Sequence, residues 1–297
     1  MATPGEWLEG ARLRTLPAAI APVFLGTGVS YGMGSGHLGK AMMAGAVALL
    51  LQVGVNFAND YSDGVRGTDE HRKGPQRLTA TGAAPPRTVL TVALVNFALA
   101  AVVGLVLVAW SGAWNLLAAG AGAIGAAWFY TGGKRPYGYM GLGEVFVFIF
   151  FGWLATLGTT WTQSHALTWQ AWVVASGVGL LSCALLMVNN IRDISSDTPS
   201  GKKTLAVRLG DARARAVYLL MLGLSVAGLV PVFFAPKAWW PGLLLIVILA
   251  IAAIVVARPV MRGARGMALV AVLRNTGFLT LAYGVSVGVV LAYMPGQ

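Results

Sequence analysis

The chain has 297 residues, of which 57% are hydrophobic and only 10% charged, with 21 Lys and Arg against 10 Asp and Glu and a single cysteine. Soluble domains carry about a quarter charged residues, so a water-facing globular fold is excluded and the lipid bilayer is the alternative solvent. The formal net charge of +11 invites a nucleic-acid partner, but its distribution along the chain has a topological reading that needs no nucleic acid.

A membrane-spanning helix needs about 20 mostly apolar residues, and nine such runs are predicted: 15–33, 41–58, 88–110, 114–130, 142–160, 169–189, 216–235, 239–257 and 267–293. The first run lacks a small-residue cleavage site at a suitable distance, so it reads as a span and not as a cleavable signal. Connections 35–40, 111–113, 162–168 and 236–237 are short and almost uncharged, whereas 60–87, 131–141, 190–215 and 258–266 are polar and basic. Of the 21 Lys and Arg, only Lys40 and Lys237 fall in the first set. Basic loops stay on the cytoplasmic side. The expected fold is therefore an all-α integral membrane protein: nine transmembrane helices in a single bundle and a single domain over 1–297, with the N-terminus cytoplasmic and the C-terminus outside.

Trp110, Trp114, Trp161, Trp169, Trp239 and Trp240 sit near predicted span ends, as interfacial anchors do. Glycines around Gly122 and between Gly223 and Gly228 suggest close helix packing. Cys183 lies in an apolar run and reads as a small buried hydrophobe. His37, His71 and His165 share no helical spacing with a partner and receive no catalytic role.

The rare acids are more informative. Asp60 and Asp63 are three residues apart at the end of the second span, and Asp193 and Asp197 four apart at the end of the sixth; Asp69 and Glu70 follow the first pair. Each pair shares a face if its helix continues. Carboxylates at a span end are costly unless paired or bound. Arg66, Arg72, Lys73, Arg192, Lys202 and Lys203 are near enough in sequence to form an ion-pair lattice. The sharper reading is Mg²⁺ with a diphosphate, in which carboxylates grip the metal and cations grip phosphate oxygens. Asn59, Asn189 and Asn190 would add uncharged oxygens at the same depth.

Asn59-Asp60-x-x-Asp63 with Asp193-x-x-x-Asp197, together with Tyr130-x-x-x-Lys134 after the fourth span, resembles the signatures of the UbiA superfamily of membrane prenyltransferases. The longer strings NDYSDGVRGTD from Asn59, GPQR from Gly74, YTGGKRPYGYMGLGE from Tyr130 and NNIRDISSDTPSGKKTLAVRLG from Asn189 resemble its naphthoate-prenylating branch. The broad superfamily places a further aspartate four residues after the equivalent of Asp63; here Gly67 stands there and Asp69 lies two further on, an arrangement the naphthoate branch shares.

The resemblance implies a transferase of the bacterial cytoplasmic (inner) membrane, its active site on the cytoplasmic side near loops 60–87, 131–141 and 190–215. It implies transfer of a polyprenyl group from polyprenyl diphosphate to 1,4-dihydroxy-2-naphthoate, with loss of CO₂, giving demethylmenaquinone for menaquinone synthesis. Two Mg²⁺ ions would bridge the diphosphate. Asn59, Asp63, Asp193 and Asp197 are the implied metal ligands, with Asp60 supporting and Asp69 as a further candidate. Arg77, Lys134, Arg192 and Lys202 would hold phosphate oxygens, although for Arg192 an ion pair with the neighbouring aspartate is equally open. Asp63, Asp193, Tyr130 and Lys134 form the implied catalytic set, Tyr130 facing the bridging oxygen or the allylic cation. Glu144 is either a functional acid or capped by Lys134 or Arg135, and the aromatic stretch 146–153 reads as lipid-facing or packing. The alternatives are another acceptor, such as 4-hydroxybenzoate, homogentisate or haem; a cation-coupled transporter, against which the acids' collection at one face counts; and a non-catalytic assembly subunit.

Overall fold

In lipid every backbone N–H and C=O must be satisfied inside its own segment, and the long apolar runs accordingly form helices. The computed structural model describes residues 2–68, 77–234 and 239–293, and among them there is no strand. Ten helical segments follow one another: α1 (Pro4–Ala11), α2 (Leu16–Gly32), α3 (Leu38–Val65), α4 (Pro86–Ser111), α5 (Leu116–Phe129), α6 (Gly143–Ser164), α7 (Trp169–Asp197), α8 (Leu205–Phe233), α9 (Trp239–Met261) and α10 (Ala268–Ala292). Among the described residues eight helices are long and apolar enough to cross a membrane, when α1 and α2 are counted as one run. Helix α5 has 14 residues, a length of about 21 Å against a hydrocarbon core of about 30 Å.

Two helices outrun their predicted spans, with consequences for the site. Helix α3 continues to Val65 and α7 to Asp197, so all four clustered aspartates ride on helix rather than on loop. The 190–215 connection shrinks to a turn at 198–204, because Thr204 caps α8 by accepting a hydrogen bond from the Val207 N–H. A polar helix end can project beyond the hydrocarbon when side chains of other segments partner it.

Apolar packing gathers in two places. The larger core joins α2 with α7, α8, α9 and α10 around Leu25, Val178, Tyr218 and Leu291. A smaller one joins α1, α3, α4 and α5 around Phe57, Val89 and Phe97. Close helix approach in the larger core uses Gly284 and Gly288: a Cβ on Gly284 would meet the Ala21 carbonyl oxygen at 2.4 Å, and one on Gly28 the Gly288 carbonyl oxygen at 2.1 Å. Of the glycines expected to do this, Gly122 and Gly223 face open space, whereas a Cβ on Gly228 would meet Val173 Cγ1 of α7 at 3.8 Å. Trp110, Trp114, Trp169 and Trp240 are exposed at helix ends, as an interfacial belt requires. Cys183 is buried, its thiol 3.1 Å from the Glu144 carbonyl oxygen.

Candidate active site

Between the two cores runs a cavity of about 650 Å³, walled by α2 to α7, within the range of ordinary ligand pockets. Most of its wall is apolar, including Ala48, Leu51, Leu105, Ile124 and Phe150. One end is different: Asn59, Asp63, Arg77, Asn189, Asp193, Asp197 and Lys202 all border it there.

Helix α3 supplies the first group. Residues 52, 56, 59 and 63 recur at steps of four and three, which is one stripe of an α-helix, and all four border the cavity. Asp63 is 3% exposed. Its Oδ1 accepts a hydrogen bond from the Tyr139 hydroxyl at 2.5 Å, its Oδ2 accepts one from Lys202 Nζ at 3.1 Å, and Arg77 Nη2 lies 3.9 Å from Oδ2. The Asn59 Oδ1 accepts from the Thr131 hydroxyl at 2.7 Å.

Asp60 departs from the expected role. It sits roughly 60° around the helix from Asp63, does not border the cavity, and accepts the backbone N–H groups of Leu78 at 3.0 Å and Thr79 at 2.9 Å. Both carboxylate oxygens are used to hold the segment that carries Arg77. Asp69, the other candidate ligand, lies outside the described residues, as do Glu70, His71, Arg72 and Lys73.

Helix α7 supplies the second group. The Arg192 guanidinium grips Asp193 in a forked pair, Nε to Oδ1 at 2.7 Å and Nη2 to Oδ2 at 2.6 Å, and Nη2 also donates to Asn189 Oδ1 at 2.9 Å. Arg192 does not border the cavity, so of its two readings the ion pair is the one the geometry displays. Asn190 borders the cavity and donates from Nδ2 to Glu144 Oε1 at 3.2 Å. Glu144 is thus capped by Asn190 and not by Lys134 or Arg135. Lys134 is exposed and off the cavity wall: the Arg66 guanidinium binds the carbonyls of Thr131 and Gly133, and the turn carries the lysine outward.

The aromatic wall was not expected. Within α6 the segment Phe148–Leu154 is π-helical, a distortion that re-aims side chains and is frequent at functional sites. Phe146, Phe150 and Phe151 border the cavity instead of facing lipid. Tyr137 stacks on Phe146 with ring centroids 4.0 Å apart, and Tyr130, also on the wall, meets Tyr137 edge-on at 5.5 Å. Tyr139 is the clearest residue that sequence reasoning missed, although it stands inside the quoted string beginning at Tyr130. Lys202 Nζ lies 4.8 Å above its ring. Burial first, and then the Asp63 charge, raise the Tyr139 phenol well above its usual pKa, so it remains a hydrogen-bond donor at neutral pH.

Among the described residues no three Asp, Glu, His or Cys side chains converge as a ready-made metal cage. The donor set nevertheless suits Mg²⁺. Carboxylates of Asp63, Asp193 and Asp197 and amides of Asn59 and Asn189 border one cavity end from two helices. Mg²⁺ keeps waters and commonly takes one or two carboxylates together with substrate phosphates. Lys202 and Arg77 border the same end, and cations of this kind suit phosphate oxygens.

Comparison with known proteins gives the family and the fold. The model of the UbiA prenyltransferase family matches residues 19–279. A curated relative from Mycobacterium tuberculosis, 1,4-dihydroxy-2-naphthoate octaprenyltransferase, is 47% identical over 293 residues, covering 99% of each chain. A UbiA homolog from Aeropyrum pernix K1 has the same fold, with a TM-score of 0.69 at 18% identity over 93% of this chain and 96% of that one. A UbiA homolog from Archaeoglobus fulgidus, solved bound to GPP and Mg²⁺, superposes with a TM-score of 0.64 at 17% identity over 93% of this chain and 99% of that one.

Proposed function

The chain belongs to the UbiA prenyltransferase family, and on that premise we propose that it transfers a polyprenyl group from polyprenyl diphosphate to 1,4-dihydroxy-2-naphthoate in menaquinone synthesis. The observation that carries this reading is the convergence of Asp63, Asp193, Asp197, Lys202 and Arg77 at one end of an otherwise apolar cavity. The polar end suits a metal–diphosphate and the apolar length suits an isoprenoid tail.

Asn59, Asp63, Asp193 and Asp197 are the residues that would hold Mg²⁺, as two ions. Bound there, the metal supplies neutralisation of the diphosphate as its bond to the allylic carbon breaks. Lys202 and Arg77 hold phosphate oxygens, and Tyr139 and Arg192 keep Asp63 and Asp193 in place until substrate arrives. Asp60 acts indirectly by fastening the Arg77 segment. Tyr130 and Phe146 present aromatic faces to the allylic carbon, favouring its developing positive charge by about 0.5–2 kcal/mol. The apolar wall excludes water that would otherwise capture the cation. The allylic C–O bond breaks with its electron pair on diphosphate; a ring carbon of the naphthoate forms the new C–C bond, and the carboxylate leaves as CO₂. No net oxidation occurs, so the immediate product is the quinol form of demethylmenaquinone.

The basic loops support a topology of nine crossings in one domain, with α5 as the short one and the N-terminus and polar cavity end on the cytoplasmic side of a bacterial inner membrane. The deciding experiment incubates purified protein with Mg²⁺, a polyprenyl diphosphate and either dihydroxynaphthoate or 4-hydroxybenzoate. Prenylated naphthoquinol with release of CO₂ is expected. Transfer only to hydroxybenzoate, or to neither, overturns the reading.

A further inference from the structure

The stripe of α3 that carries Asn59 and Asp63 continues deeper with two buried amides, Gln52 at 7% and Asn56 at 2% exposure. Neither is used by the metal–diphosphate site. They form a closed cluster with the break between α1 and α2: Asn56 Nδ2 donates to the Ala11 carbonyl at 2.9 Å and to Thr15 Oγ1 at 3.3 Å, and Thr15 Oγ1 donates to the Arg12 carbonyl at 2.9 Å. Gln52 Nε2 donates to Thr15 Oγ1 at 3.1 Å and to Asn56 Oδ1 at 3.3 Å. Both amide hydrogens of Gln52 are thereby committed, and its Oε1 is left on the cavity wall with no donor among the described residues. An amide oxygen held in this way is open to a donor that enters the cavity.

A cation stands on the same wall. Arg12 borders the cavity from a left-handed backbone conformation (φ 53°), unusual for a non-glycine residue. Tyr130 borders the same cavity. An acceptor oxygen and a guanidinium beside a slot walled by Ala18, Ala48 and Val55 match an aromatic ring bearing a hydroxyl next to a carboxylate.

We propose that Gln52 and Arg12 form the subsite for the aromatic acceptor, Gln52 Oε1 accepting from its ring hydroxyl and Arg12 pairing with its carboxylate. This rests on the prenyl-transfer reading above. It anchors the acceptor about three helical turns from Asp63, in the cavity that Tyr130 also borders, so that the ring lies on the path to the allylic carbon.

The test uses full-length protein in detergent and three probes that do not turn over: 1-hydroxy-2-naphthoate, 2-naphthoate without the hydroxyl, and 1-naphthol without the carboxylate. Their binding is followed by naphthalene fluorescence. Gln52→Leu is expected to weaken 1-hydroxy-2-naphthoate about tenfold or more and to leave 2-naphthoate unchanged. Arg12→Met is expected to weaken both carboxylates by a similar factor and to leave 1-naphthol unchanged, with Arg12→Lys recovering part of the loss. The KM for polyprenyl diphosphate should not move in Gln52→Leu. Equal losses for all three probes mean that the cluster is only a structural tether, and no loss means that the acceptor binds elsewhere; either result overturns the subsite. Should Arg12→Met fail to fold, Gln52→Leu and Arg12→Lys decide by the same criteria. Wild-type protein without transfer to dihydroxynaphthoate sinks the enzymatic reading itself, whereas active wild type with unselective variants sinks only the subsite.

Discussion

At the end of α3 the Asp63 carboxylate is held by groups from other segments, Tyr139, Lys202 and Arg77, whereas at the end of α7 the Asp193 carboxylate is held by the guanidinium of the residue before it. The two ends carry similar residues and border the same cavity. The first is assembled by tertiary structure and should respond to any change in the 131–141 and 198–204 segments. The second includes a forked ion pair between neighbours on one helix. Substrate binding therefore meets two kinds of resistance: on α3 the partners are cations that can turn to the phosphate, and on α7 a forked ion pair must share its carboxylate.

The comparison breaks most directly if the two ends are not equally essential. Asp63→Asn and Asp193→Asn are each expected to lower transfer by about 10²–10³-fold while the protein still elutes as a folded species from detergent gel filtration. Near-normal turnover in either removes that end from the metal site. Chelation of Mg²⁺ should abolish transfer and leave the melting temperature little changed, with activity restored when the ion is returned; activity that survives chelation argues against the metal reading.

The next test compares the forked pair on α7 with the Tyr139 contact on α3. Arg192→Met leaves Asp193 buried beside a lost guanidinium and should cost about 3–5 kcal/mol of stability, read as a lowered melting temperature. Tyr139→Phe removes one of several partners of Asp63 and should cost about 1.5–3 kcal/mol, with a weaker hold on the diphosphate seen in its KM. Because burial and the Asp63 charge both raise the Tyr139 pKa above a usual value of about 10, its effect on transfer should stay constant from about pH 6 to about pH 9. A penalty that vanishes with rising pH would show an ionising phenol. The smallest effect belongs to Lys134→Ala: exposed and off the wall, it should change KM for the diphosphate by less than about threefold, the scale of a surface charge.

Hydrophobic runs locate most helices because burial in lipid is a property of consecutive residues. Helix ends were harder to place: the end of α3 is held by partners such as Thr131, Tyr139 and Lys202 that are distant in sequence, and α7 continues to Asp197. Spacing put Asp60 and Asp63 together, but the backbone of Leu78 and Thr79 takes Asp60 for itself. Nothing in the composition of 146–153 marks the π-helical segment that carries Phe150 and Phe151, or shows that these two and Phe146 border the cavity. The stripe 52, 56, 59 and 63 has helical spacing, but only Asn59 and Asp63 stood out in the sequence; Gln52 and Asn56 join them through the cavity wall that all four border.

From its residues alone this chain is determined to be a basic-looped helical membrane protein with its rare acids near one face, and its long strings point to prenyl transfer. Those properties follow from local hydropathy, charge and motif, which need no folding to read. Which carboxylate faces the cavity, which cation reaches it and where an acceptor finds both a hydrogen-bond partner and a charge were decided by the tertiary structure. Such choices depend on distances between segments as far apart as Asp63 and Lys202, and no local pattern encodes those distances.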